Sequence, residues 1–211
     1  MKFLKCIFRK EFFKRDIATA ALGALIFSMI FSLAGFEAKC NELRNNILRL
    51  HIIANSDSEE DQFIKLEIRD KLLTASNGLF ESAGNKEQAI KSVNDNTDVF
   101  IKAARSVLKE YGKNQPVSID VGKAYFDTRE YENFTLPAGE YDAVRVLIGK
   151  AEGKNWWCVM FPSMCIPAAE KEHKLTEAVD PLSAEIAENA PHYEMRFKIV
   201  EWYEKLKMLL K

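Results

Sequence analysis

The sequence predicts an α+β fold in which a small, mostly antiparallel sheet of about four strands packs against two to four helices. An N-terminal transmembrane or signal helix precedes this domain. Three features predict the fold class: an uncharged apolar run near the N-terminus, two later runs with helical spacing, and several short apolar segments typical of strands. With 211 residues, 47% of them hydrophobic and 29% charged, the chain can bury one sizeable core.

The N-terminal segment is typical of membrane targeting. Ile17 to Phe36 contains no charged side chain, and 20 helical residues span roughly 30 Å, the thickness of a bilayer's hydrocarbon core. Residues 1–16 carry six basic and two acidic side chains, a net charge of +4, and such a flank stays in the cytoplasm. We therefore expect residues 1–38 to hold a cytoplasmic flank and a membrane segment, and residues 39–211 to form a single exported domain.

Two fates of this membrane segment fit the sequence. Ser32-Leu33-Ala34 offers small residues at the spacing that a signal peptidase requires, yet the apolar run is longer than the apolar core of a usual signal peptide. The segment is either a retained anchor or a cleaved signal.

The exported part begins with a strand and a helix. Ile47 to Ala54 is a short apolar run between polar stretches, which is typical of a buried strand. The NSDSEEDQ stretch that follows supplies capping side chains and the acidic residues favoured at a helix N-terminus. Ile64, Ile68 and Leu72 then recur at steps of four, which predicts a helix that ends at Asn77-Gly78.

A second helical run and three strands follow. Apolar residues from Ile90 to Tyr111 predict one long helix of about seven turns, with Asn94-Asp95-Asn96 as its weak point. The period then changes to two, which predicts strands at 117–126, 144–148 and 157–161. Their short connections suggest an antiparallel meander.

Two helices complete the predicted order β-α-α-β-β-β-α-α. Asp180-Pro181 can start a short helix, because proline is tolerated at the first helical position. A last helix is predicted by apolar residues at helical spacing, namely Ile199, Trp202 or Tyr203, Leu206, and Leu209 or Leu210.

Motifs of catalysis and metal binding are missing from the sequence. His51, His173 and His192 lie outside any metal-ligating spacing, and there is no nucleophile elbow, phosphate loop or Cys-x-x-Cys. We predict no catalytic residue, metal, cofactor or small-molecule substrate. Because the total charge is -1, the chain beyond residue 16 carries about -5, and nothing predicts a nucleic-acid surface.

Two acidic stretches are the candidates for hydrolytic chemistry, which needs paired carboxylates. One is Asp57 with Glu59, Glu60 and Asp61, and the other runs from Glu140 to Asp142. Helix capping and a solvated first turn explain the first stretch more simply.

The cysteines depend on the compartment. Cys158 and Cys165 are expected on the exported side, where disulfides persist. Phe161-Pro162-Ser163 can reverse the chain between them, and the bridge would contribute about 2–3 kcal/mol. Two buried thiols are the alternative, whereas a redox site would place its second cysteine two residues along at a helix N-terminus. Cys40 takes no part in this pairing.

Three blocks of the chain form a specific combination: LRLHIIANSDSEEDQFIKLEIRDKLL (48–73), LPAGEYDAVRVLIG (136–149) and GKNWWCVMFPSMC (153–165). They resemble the stage II sporulation protein R family of endospore-forming Gram-positive bacteria, and the likeness extends to the final VEWYEKLK helix. These blocks contain the signature residues that are our candidates for contact with a partner. They are Asn55, Ser56, Asp57, Asp61, Gln62, Trp156 and Trp157, with Arg145 and Lys154 as weaker candidates.

The resemblance implies a non-enzymatic signal that is made in the forespore and exported across its membrane into the space between the two cells. There it would activate a membrane-embedded aspartic protease of the mother cell, of the stage II sporulation protein GA type, which cleaves the sigma-E precursor. The sequence leaves two alternatives, a membrane-anchored cell-envelope hydrolase that uses the acidic stretches and a structural envelope protein.

Overall fold

The computed structural model describes residues 2–80, 83–131, 133–162, 175 and 178–210. The chain divides into two compact units, Met1–Lys39 and Cys40–Lys211.

The first unit lies within α1, a helix over Lys2–Asn46. Within the described residues, its segment Asp16–Asn46 is the helix long and apolar enough to cross a membrane, with a mean hydropathy of 2.1. Ile17 is exposed and Phe36 is buried. An N-terminal helix that fits a membrane anchor or a signal sequence is thus present.

The second unit is built on a four-stranded sheet. After α1 its elements follow in chain order as β1 (Leu48–Ile53), α2 (Glu59–Phe80), α3 (Lys86–Asp95), α4 (Thr97–Glu110), β2 (Val117–Phe126), β3 (Arg129–Glu130), β4 (Thr135–Leu136), β5 (Gly139–Ile148), β6 (Asn155–Phe161), α5 (Pro181–Glu188) and α6 (Ala190–Leu209). Strands β3 and β4 form a separate short pair.

The sheet has the strand order β2-β5-β1-β6. Strand β1 is parallel to β5 and antiparallel to β6, while β2 is antiparallel to β5. The mostly antiparallel α+β fold is confirmed, but the predicted meander is wrong because β1 separates β5 from β6. Leu48, Leu50 and Ile52 are fully buried, and such a strand needs a hydrogen-bonded neighbour on each side.

Each face of the sheet carries its own core. Helices α2, α3 and α4 pack on one face through side chains that include Ile68, Val93 and Phe100. On the other face, the last turn of α1 and helix α5 contribute Leu43 and Ala184 to a second cluster. This second cluster lies towards one end of the face, so the cross-strand neighbours near His51 stay partly exposed.

Two helix boundaries differ from the prediction. Helix α2 continues through Asn77-Gly78 to Phe80, whose buried ring lies edge-on to Phe161 with centroids 6.1 Å apart. The predicted long helix is divided at Asn96, whose backbone N–H donates to Val93 O and whose side chain donates to Ser92 O. Core packing of Phe80 therefore extends α2 past Asn77-Gly78, which are poor helix formers. Hydrogen bonds from Asn96 end α3.

The last two helices form as predicted. The Asp180 side chain accepts a hydrogen bond from Leu182 N–H at 2.7 Å, and Pro181 occupies the first position of α5. Helix α6 buries Phe197 and Val200.

Only one cysteine of the predicted bridge lies among the described residues. Cys158 is disulfide-bonded and Cys40 is a buried thiol. Cys165 lies outside the described residues, as does His173. The pairing of Cys158 with Cys165 therefore stays a prediction.

Candidate functional site

Two loops meet at the end of the sheet, and we call them the paired loops: Asn55–Ser58 after β1, and Gly149–Lys154 between β5 and β6. Lys150 N–H donates to Asn55 Oδ1 at 3.0 Å, and Lys154 N–H donates to Asp57 Oδ1 at 2.6 Å. Gly153 N–H donates to Ala54 O at 3.0 Å. The second loop crosses over the end of β1. In this way it connects β5 to β6, which lie on either side of β1.

Asp61, in the first turn of α2, holds the first loop in shape. Its carboxylate accepts hydrogen bonds from Ser56 Oγ at 2.5 Å and from Asn55 Nδ2 at 2.8 Å. Burial acts to raise the pKa of Asp61, but hydrogen bonds from Ser56, Asn55 and Gln115 outweigh it and lower this pKa below its ordinary value. Asp61 is therefore an ionised structural acceptor at neutral pH.

Gln62 and Lys65 extend this network to the second loop. Gln62 Nε2 donates to Ser56 O at 2.8 Å, and Lys65 Nζ donates to Gln62 Oε1 at 2.6 Å and to Lys154 O at 3.1 Å. Burial lowers the pKa of Lys65. Among the candidate contact residues in this region, Asp57 and Lys154 are exposed.

Glycines make the close approach of the two loops possible. Gly149 has φ +59°, a left-handed conformation that side chains rarely adopt. A Cβ on Gly153 would lie 2.2 Å from Ser56 O, which is a backbone atom that cannot rotate away. The signature blocks thus specify a close backbone contact between the paired loops as well as exposed side chains.

Two further signature residues, Arg145 and Trp157, belong to a row of side chains across the open part of one sheet face. Register places Asp120, Arg145, His51 and Trp157 side by side on β2, β5, β1 and β6. We call these four residues the cross-sheet row. Arg145 Nη2 and Asp120 Oδ2 are 2.5 Å apart, and the two side chains are 42% and 45% exposed.

His51 joins the two halves of the row. Its Nε2 lies 2.8 Å from Asn155 Oδ1, and its ring centroid lies 5.6 Å from that of Trp157. Burial lowers the pKa of His51. The hydrogen bond to Asn155 opposes this effect, and the nearby charges of Arg145 and Arg49 add to it. The imidazole is therefore neutral at pH 7. Arg129 covers the Trp157 ring with Cζ at 4.4 Å from its centroid.

Trp156 does not belong to this row. It lies on the opposite face, against the core formed with α2 to α4, and Arg69 Cζ is 4.5 Å from its ring centroid. The predicted site residues thus separate into three groups. They are the paired loops with the first turn of α2, the cross-sheet row, and Trp156, which packs against the core. From the sequence, His51 is interpreted only as part of an apolar strand, although the alternation of Leu48, Leu50 and Ile52 with Arg49 and His51 places it on the face opposite those three residues.

The second acidic stretch is also ion-paired. Asp142 lies 2.5 Å from Lys86 Nζ and 3.0 Å from Lys123 Nζ. Burial acts to raise the pKa of Asp142, but these two lysines lower it below the ordinary value. Among the described residues, no group of three or more His, Cys, Asp or Glu side chains could hold a metal ion.

Comparison with known proteins identifies the family. A family model described as Stage II sporulation protein R (spore_II_R) matches residues 44–171, which include the paired loops and the cross-sheet row. Stage II sporulation protein R of Bacillus subtilis (strain 168) is 31% identical over 180 residues, which cover 75% of this chain and 80% of that protein. No solved structure matches the chain. The resemblance seen in the three sequence blocks is confirmed, and the chain belongs to the stage II sporulation protein R family.

Proposed function

We propose that the domain is a non-enzymatic sporulation signal that activates a membrane-embedded aspartic protease of the mother cell, of the stage II sporulation protein GA type. Activation leads to cleavage of the sigma-E precursor. Membership of the family carries this proposal, since it gives the chain a role in sporulation. The N-terminal helix supports export from the forespore into the intermembrane space, with the domain either anchored or released.

The state of the acidic residues favours a ligand over a hydrolase. A general acid in a hydrolytic pair needs a carboxyl group with a raised pKa. Asp61 and Asp142 both have lowered pKa values, because each accepts hydrogen bonds that stabilise its charged form. Their carboxylates are engaged in holding loops and strands together.

The cross-sheet row is our proposed contact surface for the protease. It offers a cation, an aromatic ring and a carboxylate that are partly exposed on one rigid sheet, and such side chains often dominate binding energy. Asp57 and Lys154, exposed on the paired loops, are the proposed contacts at the margin. Binding activates the protease to the extent that the domain has a higher affinity for the active state than for the inactive one.

Co-production in a non-sporulating host tests the proposal. The full chain, the protease and the sigma-E precursor are expressed together, and shortening of the precursor is followed by immunoblotting. We expect faster shortening with this chain than without it, and none when a catalytic aspartate of the protease is replaced by alanine. Equal rates with and without the chain would overturn the proposal.

A further inference from the structure

Helix α6 presents two apolar faces, and only one of them is covered by the domain. Phe197 and Val200 are buried together with the side chain of Glu204. On the other side, Trp202 is 72% exposed and Leu206 is 54% exposed. We call this exposed face the outer stripe, and it consists of Met195, Ile199, Trp202, Leu206, Leu209 and Leu210.

The outer stripe is continuous along the helix. Its members recur at steps of three and four, so at 100° per residue they occupy about 100° of the helix circumference. Phe197, Val200 and Glu204 lie on the opposite side of the same helix. The stripe therefore remains exposed when the buried face is fully packed.

Basic side chains border the outer stripe on both sides. Lys198 and Lys205 lie along one border, and Arg196 and Lys207 lie along the other. Two acidic partners of the lysines point inwards: the side chains of Glu201 and Glu204 are 13% and 8% exposed, against 44% or more for Lys198, Lys205 and Lys207. The third, Asp127, is exposed and lies 3.2 Å from Lys205 Nζ. Exposed Glu194 also lies along the same border as Lys205, but the four cations outnumber it and Asp127, so the balance of outward-facing charge beside the stripe is positive.

We propose that the outer stripe docks on the surface of an anionic lipid bilayer, with α6 lying in the interfacial plane. An apolar face with a tryptophan, bordered by lysine and arginine, is the composition of helices that lie at membrane interfaces. The apolar side chains enter the boundary of the acyl chains, and the cations contact anionic headgroups. In the sequence, three residues separate Phe36 from Cys40, where the second unit begins, so a retained anchor keeps this unit at a bilayer.

The borders disfavour a second copy of the chain as the occupant. In a helix pair packed through the outer stripe, Arg196, Lys198 and Lys205 would flank the seam. The flanking positions of a stable pair carry opposite charges across the seam, whereas here cations would face the cations of the other copy. Anionic headgroups neutralise the same charges.

Bromolipid quenching of Trp202 tests the docking. The full chain is reconstituted in vesicles of phosphatidylcholine, with or without phosphatidylglycerol, and each preparation is repeated with acyl chains brominated near the headgroup. The emission of Trp202 is obtained by subtracting the tryptophan fluorescence of the Trp202→Phe variant from that of the native chain. We expect brominated anionic vesicles to lower this emission about twofold, and the neutral vesicles to lower it less.

A matched pair of substitutions shows whether the stripe is responsible. Leu206→Glu removes the quenching, whereas Leu182→Glu, at a 60% exposed position on α5, leaves it unchanged. Both variants must keep the thermal transition of the native chain. Trp202 emission that is unquenched in anionic vesicles overturns the proposal, as does quenching that survives Leu206→Glu.

Two further results would also overturn it by identifying another occupant. Unquenched emission with chemical cross-linking of α6 between chains would indicate a second copy, and shielding that requires added protease would indicate a protein partner. The bromolipid quenching itself is measured without the protease and without the sigma-E precursor. Its outcome is therefore independent of whether the chain activates proteolysis.

Discussion

At the scale of single residues, Asp61 shows how a carboxylate in a signature sequence can serve the fold. It is 8% exposed, and it is the common acceptor for Asn55 and Ser56. Asp61→Ala leaves these donors without their acceptor, which costs about 2 kcal/mol of unfolding free energy. Urea unfolding of the full chain in a mild detergent measures this loss. The control Glu59→Ala, at an exposed acidic residue of the same helical turn, should cost less than about 0.5 kcal/mol.

The contribution of Asp61 depends on pH in a defined direction. Its pKa is lower in the folded chain than in the unfolded chain, so its charged form stabilises the fold at pH values above the unfolded pKa of about 4. That stability is lost as the pH falls through the lower, folded value. The difference in unfolding free energy between the native chain and Asp61→Asn should therefore shrink below about pH 4. A difference that is constant from pH 7 to pH 3 contradicts the assigned role.

Arg49 is a buried cation that the sequence did not identify. Its guanidinium Cζ lies 4.0 Å from the Phe126 centroid, and its Nη2 donates to Tyr131 Oη at 2.5 Å. Within the described residues, its Nε and Nη1 have no hydrogen-bond acceptor. Arg49 thus combines favourable ring contacts with a buried charge that is costly to desolvate.

Two substitutions at Arg49 separate these effects. Arg49→Met keeps the volume and removes the buried charge, so we expect unfolding free energy within about 1 kcal/mol of the native value. Arg49→Lys keeps the charge but loses the planar group that fits between the rings, and it should cost about 2 kcal/mol. Chemical unfolding of both variants measures the order. A larger loss in the methionine variant would show that the charge itself is stabilising.

At the scale of elements, the paired loops depend on backbone contact at Gly153. A Cβ there would lie 2.2 Å from Ser56 O, so Gly153→Ala must move one loop away from the other. We expect a loss of about 2 kcal/mol or more in unfolding free energy, together with faster amide exchange at Lys154. Gly84→Ala is the matched control, because its Cβ would meet nothing nearer than Gln88 Oε1 at 3.6 Å. Equal effects of the two substitutions would refute the close approach.

Strand register brings the four residues of the cross-sheet row together. A substitution at Arg145 tests whether this row contacts the protease. Arg145 pairs with Asp120 at a partly exposed position, so Arg145→Ala should change stability by less than about 1 kcal/mol. If the row contacts the protease, the same substitution slows precursor shortening about tenfold or more in the co-production assay. Arg105→Ala, at an exposed position on α4, should leave the rate unchanged. Equal rates for both variants would exclude Arg145 from the contact surface.

Much of the fold could be predicted from local patterns. The apolar run of β1, the acidic start of α2 and the Asp180-Pro181 start of α5 all lead to the observed elements. Each of these signals acts over a few residues, through capping, helix dipoles or side-chain alternation. The sequence marks Asn94-Asp95-Asn96 as a weak point of the predicted long helix. Whether the helix ends there depends on whether capping by Asn96 is more favourable than continuing the helix.

Other features could not be read from local patterns, because they depend on contacts between distant segments. The position of β1 between β5 and β6 follows from how two cores share one sheet, and short connections alone favoured a meander. The row formed by Asp120, Arg145, His51 and Trp157 needs the register of four strands. The exposure of Trp202 depends on which of two apolar faces of α6 the domain covers.

At the scale of the whole molecule, function requires that the domain and the membrane segment have the right orientation. The proposed signal acts on the far side of the membrane that the N-terminal segment enters. In our proposal the net charge of +4 over residues 1–16 sets this orientation, since basic flanks remain in the cytoplasm. This proposed control of orientation can therefore be tested without altering the domain.

Replacing four basic residues of the flank, Lys2, Lys5, Arg9 and Lys10, by glutamate should reverse or block insertion. We expect the domain to become inaccessible to protease added outside the cells, and precursor shortening to fall to the rate seen without the chain, because the domain no longer reaches its partner. The matched control places the same four changes on exposed lysines of the domain, namely Lys71, Lys91, Lys102 and Lys109. That control should remain accessible to added protease. If the flank variant is exported as efficiently as the control, the flank does not determine orientation, and the length of the apolar run alone must direct export.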